Sequence, residues 1–537
     1  VTSLALVNGK VWTRDGFRDA VAADGHTITA TGSNDEIRDL AGPRARVVDL
    51  RGRLAVPAFG DAHIHAVSAG LESLRCDLTS ISERREYIDA IAAHAAGLPA
   101  GEWVLGGGWL MPAFPGGTPV ASDLDPVTGG HPVFLPNRDH HSAWVNSLAM
   151  ERAGIDARTP DPADGRIERD EHGNPTGALH DGAMRLVADL VPPPSAAELT
   201  AGLLAAQKLL HSLGITSWQD ACVGEARELG VPDSFETYQR AAADGSLTAR
   251  VTGALWFDRH RGLDQVDGLR ARREAADTGN FRATSVKIML DGVCETFTAA
   301  MSEPYLHGHG RGELFIGADD LASVVKALKD FQLHFHAIGD RAVTTALDAA
   351  AGLPAGGRHH IAHLQFVRPS DVPRFAELGV IANFQPLWAC MDDQMEELTI
   401  PFAGPERSAW QYPIGGILRA GGRVAFGSDW PVSSPDPLQE MHVAVTRTAS
   451  PAVRAGAVGE PFLPEQAITV TEALAAFTSG VAYVNHAEDT TGTLAHGMRA
   501  DIAVLDQDLF TIPARDIGSA SVVMTVADGT VVHDQLS

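Results

Sequence analysis

Between residues 54 and 427 the chain alternates short apolar runs with longer stretches of helical character. Parallel strands cannot be joined by tight turns and need helical crossovers, so this alternation points to a parallel sheet wrapped by helices. The strand candidates are 54–59, 215–219, 250–256, 285–290, 333–337, 360–364, 380–384 and 424–427. Eight such strands suffice to close a barrel, and the expected fold is α/β, a (β/α)8 TIM barrel.

One interval breaks the rhythm. Residues from about 75 to about 191 separate the first two strand candidates and carry Trp103, Trp109, Pro-Gly turns and a charged, hairpin-like piece at 166–176. This reads as an insertion after barrel strand one, lying over the mouth. The two ends also differ from the middle. Apolar stretches at 4–7, 21–23, 27–30 and 47–48, with an Asn8-Gly9 turn, mirror 503–505, 522–524 and 531–532 with an Asp528-Gly529 turn. Neither end is long enough to bury a core by itself. The expected solution is a small β-sandwich domain built from 1–55 plus 487–537, beside a barrel spanning 56–486.

With 42 basic against 68 acidic residues the net charge is −26, which repels phosphate backbones and anionic bilayers, so neither nucleic acid nor membrane is an expected partner. No run of about 18 apolar residues occurs, and the first residues lack the basic-then-apolar layout of a secretory signal, so the expected location is cytoplasmic. The cysteines, Cys76, Cys222, Cys294 and Cys390, show no CxxC spacing and read as reduced, packed thiols. A homodimer is the expected assembly, because exposed barrel faces often associate.

In such barrels chemistry gathers at the C-terminal strand ends. There the sequence places His63 and His65, Lys287, His334 and His336, His363 and Asp429. Residues two apart in a strand point the same way, so His63 and His65 can chelate one ion. Imidazole with carboxylate suits zinc, iron, manganese or nickel. An HxH pair alone is equally consistent with packed or surface histidines, and the later strand ends give it weight. Lys287 is one of only five lysines and sits in an unbroken apolar strand. Burying its ammonium unpaired would be costly. Two escapes stand open: an ion pair with Asp291 or Glu295, or loss of the charge and reaction with CO2 to a carbamate that can bridge metals.

The segments 57–65 (PAFGDAHIH), 138–146 (RDHHSAWVN), 286–292 (VKIMLDG), 334–342 (HFHAIGDRA), His363 with Gln365, and 426–432 (FGSDWPV) together resemble the amidohydrolase superfamily, in its amidohydrolase-3 branch of N-substituted formamide deformylase-like proteins. The likeness runs in family order over essentially the whole chain. It implies that His63 and His65 hold one divalent metal, expected to be zinc, that N6-carboxylated Lys287 bridges, that His336 and His363 hold a second ion where two are present, and that Asp429 binds metal while moving protons. His336, rather than His334, matches the motif. His141 resembles a mouth residue that contacts substrate or a developing oxyanion, and its neighbour His140 stands where the family often has glycine. Asp340 and Arg341 read as a helix start, and His359 and His360 as residues outside the ligand set.

The implied reaction is hydrolysis of a C–N bond in a small-molecule amide or N-substituted formamide, with Asp429 and His141 as catalytic groups. The same architecture serves cyclic amides, ureas, lactones or heterocycle deamination, and a metal-dependent decarboxylase, an isomerase or a non-catalytic metal binder remain as other classes. Of the nine tryptophans, Trp218, Trp256 and Trp430 fall at predicted strand ends, Trp388 follows strand seven, and Trp109 and Trp144 lie in the insertion. Trp109, Trp388 and Trp430 are the expected substrate contacts, and an aromatic or bulky apolar substituent would suit them.

Overall fold

Eight parallel strands pair in sequence order in the computed structural model, which describes residues 3–226, 229–306, 310–354, 356–450 and 459–536. They are β1 (Phe59–Ile64), β2 (Ile215–Val223), β3 (Arg250–Trp256), β4 (Phe281–Met289), β5 (Gln332–Ala337), β6 (His360–His363), β7 (Ile381–Phe384) and β8 (Arg423–Phe426). All seven ladders are parallel, and helices cover the outside, so the sheet is the nearly closed wall of a (β/α)8 barrel. The remaining edge, β8 against β1, is joined just beyond β8, where the Asp429 N–H donates to the His63 carbonyl at 2.7 Å.

Strand one departs from the sequence expectation. The run 54–59 splits at Pro57 and Ala58: Leu54–Pro57 leaves the barrel and pairs with Lys10–Thr13 and Ile502–Leu505, while β1 begins at Phe59. A continuous apolar run conceals this break, because both halves are fully buried. Strand two is longer than expected, running on to Val223, so Trp218 is mid-strand rather than at a strand end.

The two chain ends share a six-stranded sheet in which Val522–Ala527 and Thr530–Asp534 form the hairpin turning at Asp528-Gly529. A four-stranded sheet from the first 49 residues lies against it, and Leu6, Val21 and Ile28 of one pack with Ile502, Val504 and Val526 of the other. The interval after β1 forms its own six-stranded sheet, ending in the antiparallel pair Gly165–Arg169 and Pro175–Asp181. Its core is separate and aromatic, with Trp109, Phe114 and Trp144 packed edge to face.

Two helices fix where β1 delivers its histidines. The helix Ala66–Ser73 starts directly after His65 and packs on Ala196–Ser212, whose N-terminus carries a Ser195/Glu198 capping box. Contact is close because both crossing points are glycine: a Cβ on Gly70 would lie 1.9 Å from the Gly202 carbonyl oxygen. Leu199, Leu203, Ala206 and Leu210 form the apolar stripe that faces inward, each leucine contributing roughly 1.5–3 kcal/mol of burial. All four cysteines are buried free thiols. Among the described residues no helix is long and apolar enough to cross a membrane.

Candidate metal centre

The strand ends that the sequence singled out converge. On β1, His63 is buried and its Nε2 lies 3.2 Å from Asp429 Oδ1; His65, one residue past the strand, places its own Nε2 3.1 Å from the same oxygen. Neither contact is aligned as a hydrogen bond, and Asp429 Oδ1 has no hydrogen-bond partner. Lone-pair atoms that approach without donating to one another are arranged around a point, as ligands are around an ion.

Asp61 holds this arrangement. Its carboxylate accepts from the His63 N–H at 3.0 Å and from the Ser428 hydroxyl at 2.6 Å, clipping β1 to the turn that carries Asp429. Burial pushes the Asp61 carboxyl up to about 7 against these hydrogen bonds. The approach of the two segments depends on Gly427, where a Cβ would fall 2.4 Å from the His63 nitrogen.

From β4, Lys287 is 3 % exposed, with Nζ 3.2 Å from His63 Nε2. Among the described residues no carboxylate lies within ion-pair distance of it. Asp291 accepts instead from the N–H groups of Ala300, Ile338 and Gly339 at 2.8, 3.0 and 2.8 Å, and Glu295 accepts from the Thr399 hydroxyl. Both ion-pair partners considered for Lys287 are thus engaged elsewhere. Burial lowers the Lys287 amine to about 7, so a large neutral fraction is present near neutral pH.

His336 and His363 complete the ring, their imidazoles 4.3 Å apart by centroid. His336 Nε2 and His363 Nδ1 are buried without any hydrogen bond. His363 Nδ1 stands 3.9 Å from Asp429 Oδ2, and His63, His363 and Asp429 each offer a ligand atom within 4.8 Å of the others. Burial drives His63 down to about 3, and His336 and His363 well below the usual histidine range, so these imidazoles are neutral. Burial alone would raise the Asp429 carboxyl, yet it is held well below the usual carboxylate range, ionised among these nitrogens. An unsatisfied buried polar atom costs about 1–3 kcal/mol, and two such imidazole nitrogens beside the unpartnered Oδ1 of an ionised carboxylate fit a bound divalent cation.

His334, the competing residue on β5, lies behind His63: its Nε2 is 2.8 Å from His63 Nδ1 and its Nδ1 2.7 Å from Gln219 Oε1. His360 shares the same Gln219 oxygen, and His359 Nδ1 accepts from the Leu333 N–H. Asp340 is the first residue of its helix, taking the Ser302 N–H and the Arg368 guanidinium, with Gly339 as the cap.

The insertion brings His141 over the centre, 5.6 Å from His336 between ring centroids. Its Nδ1 is 2.6 Å from Asp181 Oδ1, and although burial opposes protonation, this carboxylate raises the His141 pKa above its ordinary value. His140 adopts φ +60, the left-handed conformation that glycine takes without strain. Two contacts hold it there, Leu229 O at 3.0 Å and Glu72 Oε1 at 3.2 Å.

Above the centre opens a cavity of about 730 Å³. Trp256, Trp388 and Trp430 reach its wall, and Trp388 stacks on His363 at 5.5 Å and 11°. Trp109 also stands in the wall, but the residue is 0 % exposed and its indole N–H is given to Leu135 O, so its ring supports the insertion core. Trp218 and Trp144 are likewise core, their N–H groups bonded to Tyr238 and to Val120 O.

Sequence reasoning did not single out Asp181, Gln219 or Asp61. Asp181 is 40 residues from His141 and carries no local spacing signal. Gln219 shares its strand with Thr216, Ser217 and Asp220, so it does not stand out from its neighbours as Lys287 does.

The sequence profile of the Amidohydrolase family matches residues 46–533. The chain is 30% identical over 550 residues to the protein LONG AFTER FAR-RED 3 of Arabidopsis thaliana, covering 99% of this chain and 92% of that one. It is 26% identical over 554 residues to an N-substituted formamide deformylase of Arthrobacter pascens, covering 99% and 98%. Among solved structures, an uncharacterized metal-dependent hydrolase from Pyrococcus furiosus superimposes with a TM-score of 0.71 at 27% identity, over 94% of this chain and 99% of that one.

Proposed function

The chain belongs to the amidohydrolase family, in its amidohydrolase-3 branch, as a metal-dependent hydrolase, and on that premise we propose that it cleaves the C–N bond of an amide or N-substituted formamide with water. One observation carries the reading: buried lone-pair atoms of His336, His363 and Asp429, without hydrogen-bond partners, meet those of His63 and His65 at the C-terminal end of the barrel.

His63, His65 and Asp429 would hold one divalent ion, with zinc as the best match to nitrogen-rich ligation, and His336 with His363 a second. Lys287 Nζ, in its neutral form, would add to CO2 with release of a proton, and the carbamate so formed would supply oxygen ligands beside the histidines. Such a cation lowers the pKa of water from about 15.7 toward about 7 and polarises a carbonyl oxygen.

The remaining work falls to side chains of this chain. Ionised Asp429 takes a proton from water at a carboxylate oxygen and returns it to the departing amine nitrogen. His141, protonated against Asp181, donates toward the oxygen on which negative charge develops. The rings of Trp388 and Trp430, in the cavity wall, suit an aromatic or bulky apolar substituent, with Trp109 as packing behind them. The formamide deformylase from Arthrobacter pascens gives the substrate class its support among relatives.

The experiment is hydrolysis of N-benzylformamide and short alkyl formamides by protein stripped with a chelator and then reloaded with zinc, in water labelled with heavy oxygen. Expected are release of amine, label in the acid product, loss of turnover on stripping and recovery on reloading. Turnover indifferent to stripping, or products without label, would overturn the reading.

A further inference from the structure

Beneath the metal-site residues lies a polar chain that crosses the barrel interior, and its hydrogen bonds have only one consistent direction. Gln332 donates from Nε2 to two backbone carbonyls, Arg358 O at 2.9 Å and Val484 O at 2.7 Å. A carbonyl cannot donate, so the Gln332 amide cannot be flipped, and its Oε1 faces Gln219. Gln219 therefore presents Nε2 to Gln332 Oε1 at 3.2 Å and to Asn485 Oδ1 at 3.0 Å. That leaves Gln219 Oε1 between two imidazoles, His334 Nδ1 at 2.7 Å and His360 Nε2 at 2.9 Å, both of which must carry the proton.

A second anchor agrees independently. Asn383 donates from Nδ2 to Ala62 O at 2.9 Å, and the same nitrogen faces His360 Nδ1 at 3.1 Å. His360 Nδ1 is consequently an acceptor and its proton sits on Nε2, as the Gln219 oxygen requires.

His334 and His360 are fully buried, and no carboxylate is among their hydrogen-bond partners. Each holds a single proton. With its proton on Nδ1, His334 has a lone pair at Nε2, and the atom 2.8 Å away is His63 Nδ1, which must donate. His63 then has no hydrogen on Nε2, the atom 3.2 Å from both Asp429 Oδ1 and Lys287 Nζ.

We infer that Gln219 and His334 are positioning residues that lock His63 in the Nδ1–H tautomer, so that its Nε2 lone pair is aimed at the metal before any ion arrives. The inference rests on the metal site proposed above and adds its pre-organisation. Outer partners of ligating histidines fix tautomer and ring orientation, and their loss typically weakens metal binding about 10- to 100-fold. Here the partner is another histidine rather than a carboxylate. No negative charge is added behind the ligand, and direction is supplied instead by three backbone carbonyls on separate segments.

The test reads the tautomer and the affinity, both without substrate. In metal-free, isotope-labelled protein the His63 ring resonances, identified by their disappearance in His63→Asn, are expected to report Nδ1–H. Chelator competition with zinc is expected to show His334→Leu binding about 10- to 100-fold more weakly than wild type. His334→Gln, which returns an acceptor oxygen beside His63, should recover most of that loss, and Gln219→Met should weaken binding in the same direction as His334→Leu. An Nε2–H tautomer at His63 overturns the inference, as does His334→Leu affinity within threefold of wild type. Should His334→Leu fail to fold, Gln219→Met and the wild-type resonances decide it. A protein that binds zinc yet hydrolyses no amide defeats the proposed reaction and leaves this inference standing.

Discussion

His141 and Asp181 meet through a 2.6 Å contact between Nδ1 and a carboxylate oxygen, both side chains buried and both supplied by the insertion rather than the barrel. The barrel thus provides the candidate cation site, and the segment folded over its mouth provides an imidazole facing it. A histidine held this way keeps its tautomer and its charge, because the carboxylate favours the imidazolium and orients the ring.

Replacing Asp181 by Asn preserves shape while removing that charge. With a protonated His141 required, wild-type activity should persist below the raised His141 pKa and fall as pH rises through it. In Asp181→Asn the alkaline limb of the kcat profile is expected to move to lower pH, with kcat down about 10²-fold and KM nearly unchanged. Equal pH profiles for the two proteins would remove His141 from the proton inventory.

Lys287→Ala and Asp429→Asn should each leave the barrel folded and abolish turnover, by at least about 10³-fold if Asp429 is both ligand and proton carrier. Circular dichroism and thermal unfolding check the fold, and single-turnover hydrolysis checks the rate. A near-normal rate in either purified variant would contradict the assigned roles.

The barrel and the polar residues that converge at its strand ends were legible because both obey local rules: apolar runs at regular intervals, and polar residues at the strand ends where loops converge. Lys287 stood out as a cation in an apolar strand, and the burial that made it conspicuous also lowers its pKa. What escaped was set by long-range packing. Nothing local says that the apolar run through Val56 and Phe59 divides between two sheets, since both halves are equally buried. Asp181 and Gln219 acquire meaning only through partners 40 and 115 residues away, and Trp109, conspicuous by type, is packed too deeply to offer its ring to the cavity.

Gly427 sets the spacing between the last strand and the first. An alanine there would put its Cβ 2.4 Å from the His63 nitrogen and 2.8 Å from the His63 Cβ, and neither neighbour is a flexible side-chain tip. The backbone must part, taking Asp429 away from His63 and His65. Gly427→Ala is expected to destabilise the fold by about 1–3 kcal/mol, the usual range for overpacking, and to weaken zinc binding more than a surface Gly→Ala control. Zinc affinity equal to wild type would show that the centre does not depend on this approach.

The pair His140 and Glu72 ties the mouth loop to the helix that follows His65, and its pH dependence has a definite sign. Burial alone would lower the His140 pKa, but the Glu72 charge and hydrogen bond raise it to about 9. A folded-state pKa above the unfolded value of about 6.5 contributes stability that is fully present below about 6.5 and is lost as pH rises through about 9. At about 1.4 kcal/mol per unit the contribution is on the order of 3–4 kcal/mol. Glu72→Gln removes the cause. Urea unfolding should therefore find this variant less stable than wild type at pH 6, with the gap narrowing steadily toward pH 9.5, whereas a gap that stays constant with pH would mean that His140 is already neutral in the wild-type fold.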